Sequence, residues 1–383
     1  MREVAIIGIG QTPVDEHWDK SLKELAGEAL LAALFDAGRE SAESLFIGNM
    51  LSGILSKQEN LGGLISDWIG LPGMEAEKVE AACGSGAAAL RAGLMAVSSG
   101  EVDSALVLGV EKMTESLPME TTEALATAAD ADYESAQGLS FVAINALVMQ
   151  LYIHTYGWKH TDFAPFSINA HANALHNPFA RLHEAITEKD YINARMVAEP
   201  INLLDASPTG DGAAAALLVP ADSIAPDKRQ VKIIGSASAT DTIAIHSRKD
   251  PLWLSAAEKS VRKAYDQAGV GPEDIDFFEV HDAFSIMSVL SLEACGFAER
   301  GQGPKLGVNG DITITGRIPI TTRGGLKARG HPVGATGMYQ VVEAVQQLRG
   351  EANPTQVEHP RIGLTQNIGG SGATIITHIL KAG

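Results

Sequence analysis

Lys78-Val79-Glu80-Ala81-Ala82-Cys83-Gly84-Ser85-Gly86 runs straight into Ala87-Ala88-Ala89-Leu90-Arg91-Ala92-Gly93-Leu94-Met95-Ala96-Val97. The stretch reads as strand, elbow, helix. Small residues on both sides of Cys83 let the backbone turn sharply. The turn sets the sulfur at a helix N-terminus, where free N–H groups and the macrodipole favour a thiolate. A cysteine in an Ala/Gly-rich run is otherwise a small core residue. The motifs found further along the chain decide for the nucleophile.

On either side of the elbow the pattern alternates strand and helix. Val4-Ala5-Ile6-Ile7-Gly8 reads as a buried strand, Leu22 to Gly38 as a helix closed by a glycine, and Ser44-Leu45-Phe46-Ile47-Gly48 as a second strand. Val102 to Val110 is a continuous apolar strand of the kind buried on both faces. The alternation predicts an α/β fold with a mainly parallel sheet. From Met113 the texture changes to aromatics, histidines and Asn/Pro punctuation, with helical patterns at 139–156, 163–176 and 188–198. This reads as an inserted cap, the kind of segment that carries specificity. The sheet resumes at Gly210 to Val219.

The second half repeats the first. Val231-Lys232-Ile233-Ile234-Gly235 answers the opening strand, Leu254 to Gly269 the first helix, and Asp276 to Val280 the strand at 44–48. Gly370 to Ile376 answers Gly210 to Ala216. Cys83-Gly84-Ser85-Gly86-Ala87 aligns with His331-Pro332-Val333-Gly334-Ala335, and a helix follows both. A duplicated fold sets those two helix N-termini across a pseudo-twofold axis, nucleophile facing base. The expected units are 1–112 plus 205–225, an insertion at 113–204, and 228–383.

Bulk properties exclude several functions. The 383 residues, 45% hydrophobic with 39 glycines, exceed one ordinary core and suit a compact α/β protein. With 29 basic against 47 acidic residues the formal charge is -18, which argues against nucleic acid or anionic membrane as the main partner. Cys83 and Cys295, the two cysteines, have neither disulfide-framework nor zinc spacing, so no metal is expected and a reducing cytoplasm fits. The apolar run after Met1-Arg2-Glu3 is too short for a signal peptide. Leu139 to Tyr156 carries Ser140, Asn145, Gln150 and His154, so it reads as a core helix rather than a membrane span.

Two histidine motifs join the cysteine. Gly330-His331-Pro332-Val333-Gly334-Ala335-Thr336-Gly337 repeats the glycine-flanked elbow, and Glu279-Val280-His281-Asp282-Ala283-Phe284 sets His281 at a strand end, where α/β sheets put their sites. Asn367-Ile368-Gly369-Gly370-Ser371-Gly372 is a glycine-rich turn whose N–H groups suit a thioester oxyanion.

Together and in this order, these motifs resemble the thiolase family over nearly the whole chain. The branch of archaeal and sterol-carrier-protein-2-type acetyl-CoA acetyltransferases is the most similar. The resemblance implies a duplicated five-layered αβαβα thiolase fold with an inserted loop domain, assembled as a homodimer or a dimer of dimers. It implies ping-pong acyl transfer between CoA thioesters, two acetyl-CoA giving acetoacetyl-CoA and CoA, or the reverse thiolysis, with no cofactor. Carried over, Cys83 is acylated, His331 activates it, His281 binds the second thioester oxygen, and the N–H groups of Cys83 and Gly369 form an oxyanion hole. The second catalytic cysteine of the family is missing: Asn367 stands at one of its places and Ala283 at the other, while Cys295 matches neither. His281 is the first choice for the acid/base that takes the α-proton, a cysteine–histidine–histidine set that also resembles decarboxylating β-ketoacyl synthases. Lys159, Arg181, Arg248 and Lys249 are candidates for the CoA phosphates. Two alternatives stand beside this reading: a subunit of a channelling complex with a zinc-ribbon/OB-type acyl-CoA-binding partner, and a thiolase-fold aldolase.

Overall fold

The computed structural model describes residues 2–223 and 230–383. The first half contributes β1 (Val4–Gln11), α1 (Leu22–Asp36), β2 (Ser44–Gly48), α2 (Leu61–Trp68), β3 (Glu75–Val79), α3 (Ser85–Ser99) and β4 (Ala105–Glu111). After the insertion, β7 (Gly212–Pro220) completes its sheet in the order β3-β2-β4-β7-β1. The second half contributes β8 (Val231–Thr240), α8 (Ser255–Ala268), β9 (Phe277–Glu279), α9 (Ser285–Ala294), α10 (Gly303–Val308), α11 (Thr336–Arg349), β10 (Ile362–Gly369) and β11 (Thr374–Ala382). Its strands run β8-β11-β10-β9, the first order read outward from the axis. An isolated parallel bridge from Phe278 to Ile320 stands where β3 pairs with β2 in the first half. The sheets meet at a two-pair ladder, Ala5 with Lys232 and Ile6 with Val231.

The sheet is mixed rather than mainly parallel. β2 lies parallel to β3 and β4, and β9 to β10, whereas β4–β7, β7–β1, β1–β8, β8–β11 and β11–β10 are antiparallel. Apolar runs buried on both faces do not report direction, because both senses of pairing bury them once helices cover both faces. α3 and α11 pack on each other between the two sheets, sharing a core that takes Leu90 and Val97 from one and Met338 and Val341 from the other. α1 covers the outer face of the first sheet and α8 that of the second. The five layers αβαβα are therefore present.

The insertion carries α4 (Pro118–Ala126), α5 (Phe141–Tyr156), α6 (Ala164–Ala174), α7 (Glu188–Asn193) and a hairpin, β5 (Met196–Ala198) with β6 (Ile201–Asn202). The helix expected over 188–198 stops at Asn193, because the chain turns extended at Ala194 and runs into the hairpin. α5 and α6 bury Met149, Tyr152 and Phe166 in one core with Phe278 and Ile286, so the insertion packs on the second half. The expected boundary at 225 and 228 lies outside the described residues. No helix among the described residues is long and apolar enough to cross a membrane.

Candidate active site

The elbow forms as the sequence predicts. Ala82 takes a left-handed φ of 51°, the Gly84 N–H donates to Ala81 O at 2.9 Å, and α3 begins at Ser85. The Ser85 hydroxyl donates to Ala82 O at 2.6 Å and accepts the Ala81 N–H at 2.9 Å, which holds the turn. On the other half, a short helical turn at Val333–Ala335 leads from His331 into α11. The two helix starts touch: a Cβ on Gly86 would stand 3.0 Å from Gly334 O, and one on Gly337 would collide with Ala87 N. Glycine at both places is what allows the matched elbows to meet.

β10 brings in the rest. Its parallel ladder with β9 pairs Thr365 with Glu279. Two residues further along each strand, Asn367 and His281 come side by side, and Asn367 Nδ2 lies 2.9 Å from His281 Nδ1. The His281 and His331 rings meet edge to face, centroids 5.2 Å apart at 87°. The segment returning from the insertion ties the two histidine loops together. Ser207 N–H donates to Ala283 O at 2.9 Å, and His331 N–H donates to Pro208 O at 3.0 Å. His331 Nδ1 lies 2.6 Å from Thr336 Oγ1, which itself donates to Pro332 O at 3.1 Å.

Electrostatics depart from the expectation of a resting thiolate. Burial first, then the Glu111 carboxylate, push the Cys83 thiol up to about 12, against the pull of the Cys83 and Gly370 N–H groups. The helix N-terminus is outweighed. The N–H groups that act on the sulfur are those of Cys83 and Gly370, the latter next to the Gly369 expected in the oxyanion hole, and Gly369 packs so closely on Ala81 O that a Cβ would collide. Burial takes His331 down to about 3, with the Arg329 cation adding to it. His281 also falls well below the usual imidazole value, through burial and then the neighbouring His331, Arg329 and Lys327. Both rings are therefore neutral at pH 7.

Glu111 is a site residue the sequence reading missed, although it ends an apolar strand as His281 does. Burial raises it to about 7. Its oxygens accept from Met50 N, Leu51 N, Gly334 N and the Asn49 amide, all at 2.9 to 3.1 Å, which favours the carboxylate. It thus links the Cys83 half to the His331 elbow. Lys327 is buried too, with Nζ donating to Asp205 O at 2.8 Å and Asp282 O at 3.0 Å, and burial lowers it to about 8.

Of the four basic candidates, two brace loops of this cluster: the Arg181 N–H donates to Arg329 O at 3.0 Å, and Arg248 holds the turn at Ser371. Lys159 and Lys249 are exposed. Arg181 pairs with Glu16 and donates to Thr209 O. Arg248 is buried, donating to Thr242 O at 3.0 Å and Ser371 O at 2.8 Å, so it braces the glycine-rich turn instead of facing solvent. It also borders an apolar cavity of about 280 Å³ lined by Leu139, Ile144, Val148 and Ile245. Cys295 is buried behind Gln366, whose amide lies 3.3 Å from its sulfur. Among the described residues no cluster of three or more His, Cys, Asp or Glu is placed to hold a metal ion.

Comparison with known proteins agrees with this architecture. Residues 4–222 match the thiolase N-terminal domain and residues 237–382 the thiolase C-terminal domain-like family. An acetyl-CoA acetyltransferase of Methanothermobacter thermautotrophicus is 44% identical over 384 residues, covering 100% of both chains. One from Methanocaldococcus jannaschii is 38% identical over 391 residues, covering 100% of this chain and 99% of its own. A solved structure, the Ltp2-ChsH2(DUF35) aldolase, superposes with a TM-score of 0.87 at 24% identity over 99% of this chain and 98% of that one, which shows a shared fold. Matched in both halves and aligned end to end with these relatives, the chain belongs to the thiolase family.

Proposed function

We propose that this thiolase is an acetyl-CoA C-acetyltransferase working by ping-pong transfer through Cys83. The Cys83 thiol gives its proton to His331 as the sulfur attacks the thioester carbon, and His331 passes that proton to the departing CoA sulfur. The N–H groups of Cys83 and the Gly369–Gly370 turn face the developing oxyanion. A second acetyl-CoA, deprotonated at its α-carbon, then attacks the acetyl-enzyme to give acetoacetyl-CoA; thiolysis is the reverse. The observation that carries the reading is the contact between the two elbows, with Cys83 two residues before α3 and His331 two residues before the helical turn that leads into α11. The apolar cavity beside Arg248 suits an acyl or pantetheine chain. The free thiol suits a reducing cytoplasm. β3, an edge strand with much of its length exposed, suits pairing with a second copy in a homodimer.

Incubation with acetyl-CoA and peptide mass spectrometry should place one acetyl group on the peptide carrying Cys83 and none on that carrying Cys295. An active enzyme with unlabelled Cys83 overturns the mechanism. Turnover by the purified chain alone separates a self-sufficient thiolase from one that works only with a zinc-ribbon/OB-type partner.

A further inference from the structure

We infer that His331 is the one base of both half-reactions, and that Asn367 and Thr336 make this possible by fixing the two site histidines in opposite tautomers. The inference rests on the acyl-transfer reading above and replaces the expectation that His281 takes the α-proton.

In this inference the partners of each ring place the protons. The Asn367 carbonyl oxygen faces the first turn of α11, where a Cβ on Gly337 would collide with it. The positive end of a helix attracts an oxygen and repels an amide NH₂. The NH₂ therefore points at His281 Nδ1, 2.9 Å away, and donates to it. A neutral imidazole that accepts at Nδ1 carries its proton on Nε2, so His281 offers an N–H to substrate and has no lone pair there. At His331 the order is reversed. Pro332 O accepts the Ala335 and Thr336 N–H groups at 2.9 and 3.0 Å, and with the Thr336 hydroxyl as its third donor at 3.1 Å, the Thr336 oxygen is placed to receive the His331 Nδ1–H at 2.6 Å. His331 Nε2 is then bare. Burial keeps both rings uncharged, and neither can exchange roles without breaking its partner's bond.

One base suffices because the protons balance. In the first half-reaction the Cys83 proton moves to His331 and on to the CoA sulfur as the carbon–sulfur bond breaks, leaving His331 neutral. In the second, His331 takes the α-proton while His281 Nε2–H holds the enolate oxygen. The enolate carbon bonds to the acetyl carbon, the bond to the Cys83 sulfur breaks, and the departing thiolate takes the same proton back. No second thiol is required. Asn367, at one of the places where the family resemblance would put that thiol, acts as a positioning residue for His281.

The test uses the full-length enzyme and separates the steps: acetylation of Cys83 by mass spectrometry, and exchange of acetyl-CoA α-protons with deuterium in D₂O alongside condensation. His281→Ala should keep acetylation within about twofold and lose roughly 10²–10³ in condensation, the cost of one oxyanion donor. His281→Gln, whose amide donates but takes no proton, should restore most of the exchange. Asn367→Ala should lower kcat for condensation with little change in KM or in acetylation. If His281→Gln acetylates normally but exchanges no faster than His281→Ala, His281 is the base and the inference fails. ¹⁵N spectra of the wild-type imidazoles provide a readout independent of any variant: opposite tautomers support the inference, and the same tautomer in both rings overturns it. A Cys83 that never acetylates sinks the acyl-transfer reading itself, a distinct outcome.

Discussion

The two elbows make the same backbone move and sit in opposite fields. Cys83, half-buried at the start of α3, lies beside the Glu111 carboxylate, while His331, buried before α11, lies beside the Arg329 guanidinium. An anion beside a thiol disfavours the thiolate, and a cation beside an imidazole disfavours the imidazolium. Each half thus holds its own reactive group neutral. In the proposed mechanism, a proton passed from Cys83 to His331 creates charges that each elbow opposes separately, so the transfer would be coupled to attack on the thioester, when the negative charge moves off the sulfur onto an oxygen facing N–H groups. The duplication supplies the geometry. The departures from symmetry supply the chemistry.

Removing Arg329 strikes this comparison hardest. Its side chain is fully buried, with Nε 2.8 Å from Glu343 Oε1, Nη1 donating to Gly330 O at 2.9 Å, and the guanidinium 4.7 Å from the Tyr339 ring centroid. Arg329→Met leaves Glu343 buried without that partner and should cost roughly 3–5 kcal/mol in urea denaturation. Arg329→Met with Glu343→Gln should recover much of the loss. In the double variant the His331 titration should move upward, because a cation has left its side. An unmoved His331 would remove Arg329 from the account of the second elbow.

The Cys83 side predicts a pH profile. With the thiol at about 12, alkylation by iodoacetamide should rise roughly tenfold per pH unit from pH 7 to 10 without levelling, since only the thiolate reacts. A plateau by pH 7 would reveal a standing thiolate–imidazolium pair. Glu111→Gln removes the opposing charge and lowers the thiol pKa, so a larger fraction of Cys83 is thiolate at pH 8 and alkylation there should speed up by about 3- to 10-fold. Slower alkylation in that variant would show that linking the two elbows matters more than the charge.

The smallest effect is expected at Cys295. Buried behind Gln366 and away from both elbows, it should be dispensable: Cys295→Ala should keep acetylation and condensation near wild type and cost about 1 kcal/mol of stability. Loss of α-proton exchange in that variant, with Cys83 still acetylated, would identify it as a second base.

What sequence alone determined is local or repeated. Small residues on both sides of Cys83 permit a sharp turn there, the Gly-Ala pair that follows it recurs at the same spacing after His331, and apolar runs alternate with helical patterns twice over. Such features depend on a residue and its near neighbours, which is why the elbows, the strand-end histidine and the duplication could be read from the chain, while the five layers were implied by the family resemblance. Strand direction could not, because runs buried on both faces look alike in parallel and antiparallel ladders. Nor could the state of the site. Glu111 acts on Cys83 from another strand, Asn367 reaches His281 across 86 residues, and the Gly370 N–H acts on the sulfur beside that of Cys83. Protonation, tautomer and the burial of Arg248 depend on which distant groups share a desolvated space, and only the tertiary structure decides that.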